Sequence, residues 1–335
     1  MRAYRLHDFS GPDGWKLEDL PSPEPGRGEV LIRVRAASIN FRDLLVARGI
    51  YNPKMKLPMI PVSDAAGEVV ACGPGTSRFR VGDRVAANFM PGWVEGPIDD
   101  HKMKSALGGA APGVLAEEVA LPETGLVRVS DRLSFEEAAT LPCAGVTAWH
   151  SLFEAASVKP GDTVLTLGTG GVSVFAVQFA NLAGARVIAT SSSDDKLKRV
   201  QQLGATHTIN YKTEPDWEKK VRELTDGVGV GDVVEVGGAG TFPKSIRAVK
   251  TGGTVAMIGV LTGQGQVDPI SILMRSIKVQ GIYVGSRAMF EAMSRAIDAA
   301  GIKPVVDRVF PFEDAPDALR HMESGSHFGK IVIRV

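Results

Sequence analysis

The feature that most restricts the fold of this chain is an alternation of apolar runs and amphipathic segments that begins near residue 163. DTVLTLG has the composition of a buried strand, and in the next segment Phe175, Ala176 and Phe179 fall on one helical face. The alternation continues through ARVIATS, DDKLKRVQQLGA, HTINY, DWEKKVRELTDG, GDVVEVGG, TFPKSIRAVKTGG, TVAMIGV and KVQGIYVG. Strands that alternate with helices of about a dozen residues form right-handed βαβ units. The sequence therefore predicts an α/β domain with a doubly wound parallel sheet.

The turn between the first strand and the first helix of this domain is rich in glycine. A dinucleotide-binding fold needs one glycine for the tight turn, a second for the approach of pyrophosphate, and a small third residue for packing. These places fall on Gly168, Gly170 and Ser173, the last of which departs from the usual Gly or Ala. Gly171 is an additional glycine, and the helix that starts near Val172 would direct its positive end at the phosphates. The turn predicts a dinucleotide site, and a glycine turn needed only for packing is the alternative.

The end of the second strand distinguishes NAD from NADP, because NAD sites usually place a carboxylate about 20 residues on, against the ribose hydroxyl. Here that position is Ser191, whose neutral side chain would not repel a 2′-phosphate. Ser191 and Ser192 can donate hydrogen bonds, Lys196 adds a positive charge, and Tyr211 ends the third strand. We therefore expect NADP(H). A serine helix cap, a solvated Lys196 and a packing role for Tyr211 are the alternatives.

The first part of the chain favours short strands and turns instead. VLIRVRAAS is β-rich, and AGEVVACGPGTSRFRVGDRVAA contains two apolar runs separated by turn residues, as hairpins do. Residues 88–113 are rich in Gly, Pro and charge, so we expect a long surface loop there. The tail from about residue 304 mixes strand and helix and is expected to return to the first domain. The expected domains are 1–125 completed by 286–335, and 126–285.

Composition excludes several classes of partner. Lys plus Arg total 38 and Asp plus Glu total 38, so no basic excess favours nucleic acid or anionic lipid. The two cysteines, Cys72 and Cys143, are too few for a disulfide framework or a four-cysteine zinc site. No run of about 18 apolar residues suggests a membrane span. We expect a soluble, cytoplasmic protein with no nucleic-acid or membrane partner.

Several motifs together resemble one enzyme superfamily. VGDRV, GVLAEEVALPE, LPCAGVTAWHSL, GTGGVSVFAVQFA and LGATHTINY follow one another in that order. In this order they resemble the medium-chain dehydrogenase/reductase superfamily, and within it the zinc-free quinone-oxidoreductase-like branch. The resemblance implies a GroES-like, β-barrel-containing catalytic domain with an inserted Rossmann domain. It also implies a homodimer formed through Rossmann edge strands.

The metal ligands of zinc-dependent relatives are mostly absent from the matching positions. Those relatives use a Cys, a His followed by Glu, and a second Cys. The first position is Asn40, the pair is Ser63 with Asp64, and Cys143 alone keeps a ligand type. Catalytic zinc needs about three good protein ligands, and the six histidines are scattered without a helical i, i+4 pair. We expect no metal, with Cys143 as a small buried apolar residue.

The resemblance also implies catalytic residues. Asn40 is the expected donor to a developing oxyanion, and Tyr51 is expected to line the pocket or relay a proton. Asp43 belongs to the N-x-x-D pattern of the family. The alternatives are a loop-pinning role for Asn40, a barrel-edge aromatic role for Tyr51, and a structural ion pair of Asp43 with Arg42 or Arg48. The cofactor is expected to meet further residues, namely Asn40, Thr147, Gly237, Ile258, Gly259, Val260, Tyr283, Val284, Gly285 and Lys330.

The expected function is NADPH-dependent hydride transfer to a quinone or an α,β-unsaturated carbonyl compound (enone or enal). Such acceptors spread the incoming charge over a conjugated system, so positioning and hydrogen bonding can replace a metal. An alcohol or aldehyde dehydrogenase with a degenerate metal site is one alternative. An NADPH-binding protein with little turnover is the other.

Overall fold

The computed structural model describes residues 1–259, 261, 263 and 265–335. The chain divides into two compact units, one of Met1–Val146 with Gly285–Val335 and the other of Thr147–Val284. The first unit thus extends beyond residue 125, the boundary expected from the sequence, and includes Gly285. The reason is that Leu126–Arg128 forms a strand that pairs antiparallel with Arg84–Ala87 of the first unit.

The first part of the chain forms most strands of the first unit. Its elements are β1 (Arg2–Leu6), β2 (Trp15–Asp19), β3 (Glu29–Ile39), α1 (Phe41–Ala47), β4 (Asp64–Cys72), β5 (Arg84–Ala87), α2 (Asp100–Met103), β6 (Glu118–Pro122), β7 (Leu126–Arg128) and α3 (Phe135–Ala139). β1 and β2 form an antiparallel hairpin, while β3 pairs antiparallel with both β4 and β6. β4 pairs with β5, and β5 with β7. The predicted strand and hairpin are therefore confirmed.

The second unit begins within α4 (Val146–Trp149), which lies between two π-helical turns, Leu141–Gly145 and His150–Ala155. Its further elements are β8 (Thr163–Leu167), α5 (Gly171–Leu182), β9 (Arg186–Ser191), α6 (Asp194–Gln202), β10 (His207–Asn210), α7 (Trp217–Glu223), β11 (Val230–Glu235), α8 (Phe242–Ala248), β12 (Val249–Met257), α9 (Pro269–Met274) and β13 (Lys278–Gly281). All strand pairs are parallel, in the order β10-β9-β8-β11-β12-β13. This order is that of a doubly wound dinucleotide-binding sheet, 3-2-1-4-5-6, and the predicted fold class is confirmed.

The tail returns to the first unit. It forms α10 (Arg287–Ala300), β14 (Val306–Pro311), α11 (Ala315–Glu323) and β15 (Lys330–Arg334). β15 pairs parallel with β14 and antiparallel with β3. The carboxyl-terminal half of β3 therefore lies between β4 and β15, and Ala36–Ile39 are buried on both faces. This central position fixes the residue that follows, Asn40.

The surface loop expected over residues 88–113 is wrong for much of its length. Phe89, Met90, Trp93 and Leu107 are all buried. These large apolar side chains stand at irregular spacing among Gly and Pro, so no helical or strand period revealed them. Most of the exposed residues lie in the central part, around α2. Within the part of the chain that the structure describes, no helix combines the length and apolar character that a membrane crossing requires.

Candidate functional site

The glycine turn has the features that a pyrophosphate site requires. Gly168 follows β8 with a φ of +73°, a conformation that L side chains rarely adopt. Gly170 precedes α5, whose first turn begins at Gly171 and carries no acidic side chain. Ser173 is buried, and its Oγ donates to the Leu167 carbonyl at 2.7 Å. The serine therefore ties the helix to the strand, which explains how it replaces the usual Gly or Ala. These residues fit a dinucleotide phosphate.

The residues expected at the ribose lie at or just after the ends of two neighbouring strands, β9 and β10. Ser191 ends β9 and is buried, and the Tyr211 amide donates to the Ser191 carbonyl at 3.1 Å. Ser192 follows directly. The helix cap proposed as an alternative belongs to the next residue, Ser193, whose Oγ accepts the Lys196 amide at 3.4 Å. The structure thus brings Ser191 and Tyr211 together and places Lys196 in the first turn of α6.

The segment after β11 is organised by a carboxylate that sequence reasoning missed. Glu235 is fully buried and accepts the amides of Gly237 and Gly238 at 2.8 and 3.0 Å. The Thr241 hydroxyl donates to it at 2.6 Å. The Glu235 carbonyl also accepts the Ile258 and Gly259 amides at 2.9 and 3.1 Å. An acidic residue at the end of a buried strand, directly before a Val-Gly-Gly run, was the available signal.

Backbone proximity explains one glycine in this segment. A Cβ on Gly259 would lie 1.6 Å from the Val236 carbonyl oxygen, so a side chain cannot fit there without a backbone shift. The predicted contact at Val260 lies outside the described residues. Gly237 and Gly259 are thus joined through Glu235 and the Val236 backbone, in one loop pair at the carboxyl ends of β11 and β12, where doubly wound sheets bind ligands.

The other predicted cofactor residues of the second unit lie at its two ends. Thr147 is buried near its start, and Tyr283 precedes its last residue. Val284 has a φ of +56°, unusual for a β-branched residue, and its carbonyl lies 2.7 Å from Nδ1 of His150. Sequence reasoning missed His150, which holds this strained residue. Gly285 belongs to the first unit.

A buried polar cluster in the first unit contains the predicted catalytic asparagine. We call it the Asn40 cluster, and it consists of Asn40, Asp43, Ser63, Asp64, Cys143 and Lys330. Local structure positions each member. Asn40 caps α1, and its backbone N–H donates to Asp43 Oδ2 at 2.8 Å. The pairing of Ile331 with Ile39 brings Lys330, the first residue of β15, beside Asn40.

Lys330 is the centre of this cluster. Its Nζ donates to the Ile39 carbonyl at 2.7 Å and to Asn40 Oδ1 at 2.5 Å, and it lies 3.9 Å from Asp64 Oδ2. The Lys330 side chain is only 4% exposed. These partners are protein groups, and the cofactor contact expected for Lys330 stays a prediction.

Hydrogen bonds also hold the Asp64 carboxylate in place. Ser63 Oγ donates to Oδ1 at 2.6 Å, and the Cys143 amide donates to Oδ2 at 3.1 Å. Burial raises the pKa of Asp64, and the nearby Lys330 ammonium opposes that rise. Burial also raises the pKa of the Cys143 thiol. By solvent accessibility, however, Cys143 is partly exposed rather than fully buried as expected.

Asp43 and Tyr51 both interact with Arg42, whose side chain is 10% exposed. The Arg42 guanidinium lies over the rings of Tyr51 and Phe89, at 5.1 and 4.7 Å from their centroids. Its Nη1 is 3.5 Å from Asp43 Oδ1, so the ion pair weighed for Asp43 is present with Arg42, whereas Arg48 pairs with Glu323. Burial raises the pKa of Asp43 to about 6, although Arg42 opposes this. Tyr51 is 38% exposed.

The Asn40 cluster is a poor donor set for a catalytic zinc. Among the residues that the structure describes, no three His, Cys, Asp or Glu side chains are grouped closely enough to share a metal. Asn40 Oδ1 already accepts from the Lys330 ammonium, which also lies beside Asp64. A zinc ion would have to displace this buried cation and would still lack about three good protein ligands. The residues present therefore do not fit that metal.

Both units match known protein families. Residues 26–131 match the alcohol dehydrogenase GroES-like domain, and residues 171–299 match the zinc-binding dehydrogenase family. The zinc-type alcohol dehydrogenase-like protein C1773.06c of Schizosaccharomyces pombe is 45% identical over 99% of each chain. The 2-haloacrylate reductase of a Burkholderia species is 30% identical over 99% of this chain and 98% of its own.

Solved structures give the same fold with two different cofactor descriptions. An NAD-dependent alcohol dehydrogenase superimposes with a TM-score of 0.92 at 39% identity, covering both chains completely. The mycobacterial protein Rv1454c, solved in complex with NADPH, superimposes with a TM-score of 0.85 at 31% identity, again over both complete chains.

Proposed function

Because this chain belongs to the medium-chain dehydrogenase/reductase superfamily and is an oxidoreductase, we propose that it transfers hydride from NADPH to a quinone or an α,β-unsaturated carbonyl compound without zinc. The observation that carries the proposal is the Asn40 amide. Asn40 is about nine-tenths buried, and its Nδ2 makes no hydrogen bond to the described residues. An unused buried N–H donor costs free energy unless a ligand completes it.

The chemistry of the acceptor follows from this donor. Hydride addition to a conjugated carbonyl or quinone produces an enolate-like oxyanion, and a pre-positioned amide stabilises such a charge in a water-poor site. Bound NADPH supplies the hydride, while Asn40 donates through Nδ2 to the acceptor oxygen. Alcohol oxidation instead requires a proton to leave an unactivated hydroxyl group, the task that zinc performs in metal-dependent dehydrogenases. The donor set of the Asn40 cluster does not fit such a metal ion.

Several observations support NADPH as the cofactor. Ser191 and Tyr211 lie together at the ends of β9 and β10, with no carboxylate at Ser191. A relative of known structure binds NADPH. One feature opposes NADPH: two carboxylates, Asp194 and Asp195, lie in the first turn of α6 and weaken the positive field at that helix end. Asp194 accepts a hydrogen bond from the Asn210 side chain at 2.7 Å. The hydroxyl-rich end of β9 is the main support for NADPH over NADH.

We also propose that the protein is located in the cytoplasm.

Alcohol dehydrogenation is the second candidate, because two of the similar proteins are described as alcohol dehydrogenases or as alcohol dehydrogenase-like. One assay separates the candidates: oxidation of NADPH and NADH against quinones, enals and enones, beside reduction of NADP⁺ and NAD⁺ with a panel of alcohols. We expect NADPH oxidation by conjugated acceptors at rates unchanged by a chelator. Metal-dependent alcohol oxidation would support the second candidate, and tight NADPH binding without turnover would indicate a binding protein.

The proposed assembly is a homodimer through the edge of the second unit. β13 ends the strand order of its sheet, and α9 directly before it exposes Leu273 and Met274 by 75% and 76%. A second copy that pairs its β13 edge would cover these apolar side chains and satisfy the edge amides.

The assembly is tested by charge. We expect Leu273→Asp to convert a dimer into a monomer in size-exclusion chromatography with light scattering, because the new carboxylate would lose its water at the interface. Val228→Asp is the matched control, since Val228 is an exposed apolar residue of the same unit outside α9 and β13. A monomeric wild-type protein, or a dimer that survives Leu273→Asp, would contradict this interface.

A further inference from the structure

Lys330 holds the amide of Asn40 in one orientation. An asparagine amide has a carbonyl oxygen and an NH₂ group of similar size, so its shape does not fix which end faces a neighbour. The Lys330 ammonium has hydrogens and no lone pair, so it can face only Oδ1, which it does at 2.5 Å. The NH₂ group must then point away from the ammonium.

The surroundings make this selection necessary. The Asn40 amide is near enough to Asp64 to affect the pKa of that carboxyl group, although Nδ2 is outside hydrogen-bond geometry with the described residues. Asn40 lowers the pKa of Asp64 as a hydrogen-bond donor does, so the NH₂ group lies on the Asp64 side of the amide, and an amide turned the other way would set Oδ1 against the carboxylate. Lys330 is itself held by the Ile39 carbonyl at 2.7 Å. Its ammonium is therefore anchored at two points.

We propose that Lys330 is a positioning residue for hydride transfer, because its ammonium fixes the Asn40 amide with Nδ2 available to the acceptor oxygen. This inference rests on the proposed donor role of Asn40. It differs from the cofactor contact that the sequence suggested for Lys330. The acceptor site would then be specified by two residues from the two ends of the chain.

The test is a double-variant cycle measured by single-turnover oxidation of NADPH with a quinone acceptor. We expect Lys330→Met to slow hydride transfer about tenfold, a fraction of the 10²–10³-fold loss typical of deleting an oxyanion donor. NADPH affinity should stay within about twofold, because Lys330 does not contact the cofactor in this scheme. Lys330→Met combined with Asn40→Ala should be no slower than Asn40→Ala alone, since Lys330 acts only through Asn40.

Ser38→Ala is the matched control. Ser38 is buried, and its Oγ donates to the Ile331 carbonyl at 2.9 Å. This bond joins β3, which Asn40 follows, to β15, which begins with Lys330. We expect this variant to lose thermal stability while keeping the hydride-transfer rate. If Lys330→Met does not fold, Lys330→Gln takes its place, because a glutamine amide can pair with either end of the Asn40 amide and no longer selects one.

The outcomes separate the two proposals. A wild-type rate for Asn40→Ala would overturn the donor role and with it the proposed mechanism. A slow Asn40→Ala with a wild-type rate in both lysine variants would overturn the positioning role alone. A double variant much slower than Asn40→Ala would also overturn it, because Lys330 would then act independently of Asn40.

Discussion

The two candidate sites of this protein are built from different parts of the polypeptide. In the second unit, the glycine turn uses backbone amides and a helix N-terminus within a few residues of one another. In the first unit, the Asn40 cluster uses side chains, and Asn40 and Lys330 are 290 positions apart. A site made of backbone tolerates many side-chain changes, whereas a site made of mutually bonded side chains fails when one member is lost. Substitutions in the two regions should therefore have separable effects.

The largest expected effect is that of Asn40→Ala. Removal of the buried donor should lower the rate of hydride transfer about 10²–10³-fold, as loss of one oxyanion donor does elsewhere. NADPH affinity should change less than about twofold if the cofactor is held by the backbone site. Stopped-flow NADPH oxidation and fluorescence titration measure the two quantities. If the rate and the NADPH affinity fell together, the two sites would not be independent, which would contradict the separation between the two units.

The next effect concerns cofactor choice and belongs to the second unit. In the proposed site, Ser191→Asp would place a carboxylate against the 2′-phosphate of NADPH. Like charges in contact cost several kcal/mol, so the NADPH/NADH affinity ratio should fall by about 100-fold. Ser191→Ala is the control and should lower the ratio only a few-fold, since it removes one hydrogen bond. An unchanged ratio in Ser191→Asp would place the phosphate elsewhere.

The part of the fold that local pattern controls was predictable. The helical face of Phe175, Ala176 and Phe179 and the buried run of β8 gave the βαβ order directly, since each signal lies within about a dozen residues. Gly168 and Gly170 could be placed in the turn between β8 and α5 for the same reason. The parallel sheet and the return of the tail to the first unit followed from this organisation.

The parts that failed depend on long-range register and on irregular packing. The partners of Lys330 follow from the pairing of Ile331 with Ile39, which no local pattern encodes. Phe89 and Trp93 are buried in a loop rich in Gly and Pro, where no period distinguishes inside from outside. Glu235 was missed because its hydrogen-bond partners are two backbone amides of a turn and two hydroxyl groups of the following segment, which no period in the sequence indicates. The sequence therefore predicted the order of the secondary-structure elements better than the contacts of individual side chains.

A smaller effect comes from a buried carboxyl group of the second unit. Asp232 lies within β11, burial raises its pKa well above 3.8, and its oxygens have no hydrogen-bond partner among the described residues. Asp64 in the first unit, by contrast, has several partners. The folded state keeps a proton on Asp232 that the unfolded state releases, so its contribution to stability is lost as pH rises from 3.8 through the folded-state pKa.

Asp232→Asn should remove this dependence. We expect the difference in Tm, variant minus wild type, to increase by a few degrees as pH rises from about 4 to 9. About 1 kcal/mol shifts Tm by roughly 2–4 °C in a domain of this size. Differential scanning calorimetry across that range measures it. Asp43 has a pKa of about 6 in both proteins, so its effect on Tm cancels in the difference between variant and wild type. Parallel Tm curves would show that Asp232 titrates alike in both states.

The smallest effect tests the glycine turn itself. Ser173→Ala restores the residue type usual at the third position and removes the hydrogen bond from Oγ to the Leu167 carbonyl. Loss of this bond should cost about 1 kcal/mol of stability, because the buried carbonyl oxygen loses one donor. NADPH affinity should change less than twofold, since the phosphate-binding groups at this turn are backbone amides. Calorimetry and fluorescence titration give the two numbers. If affinity fell while stability held, the Ser173 hydroxyl would be part of the phosphate site, and the second unit would share the dependence on side chains that distinguishes the first.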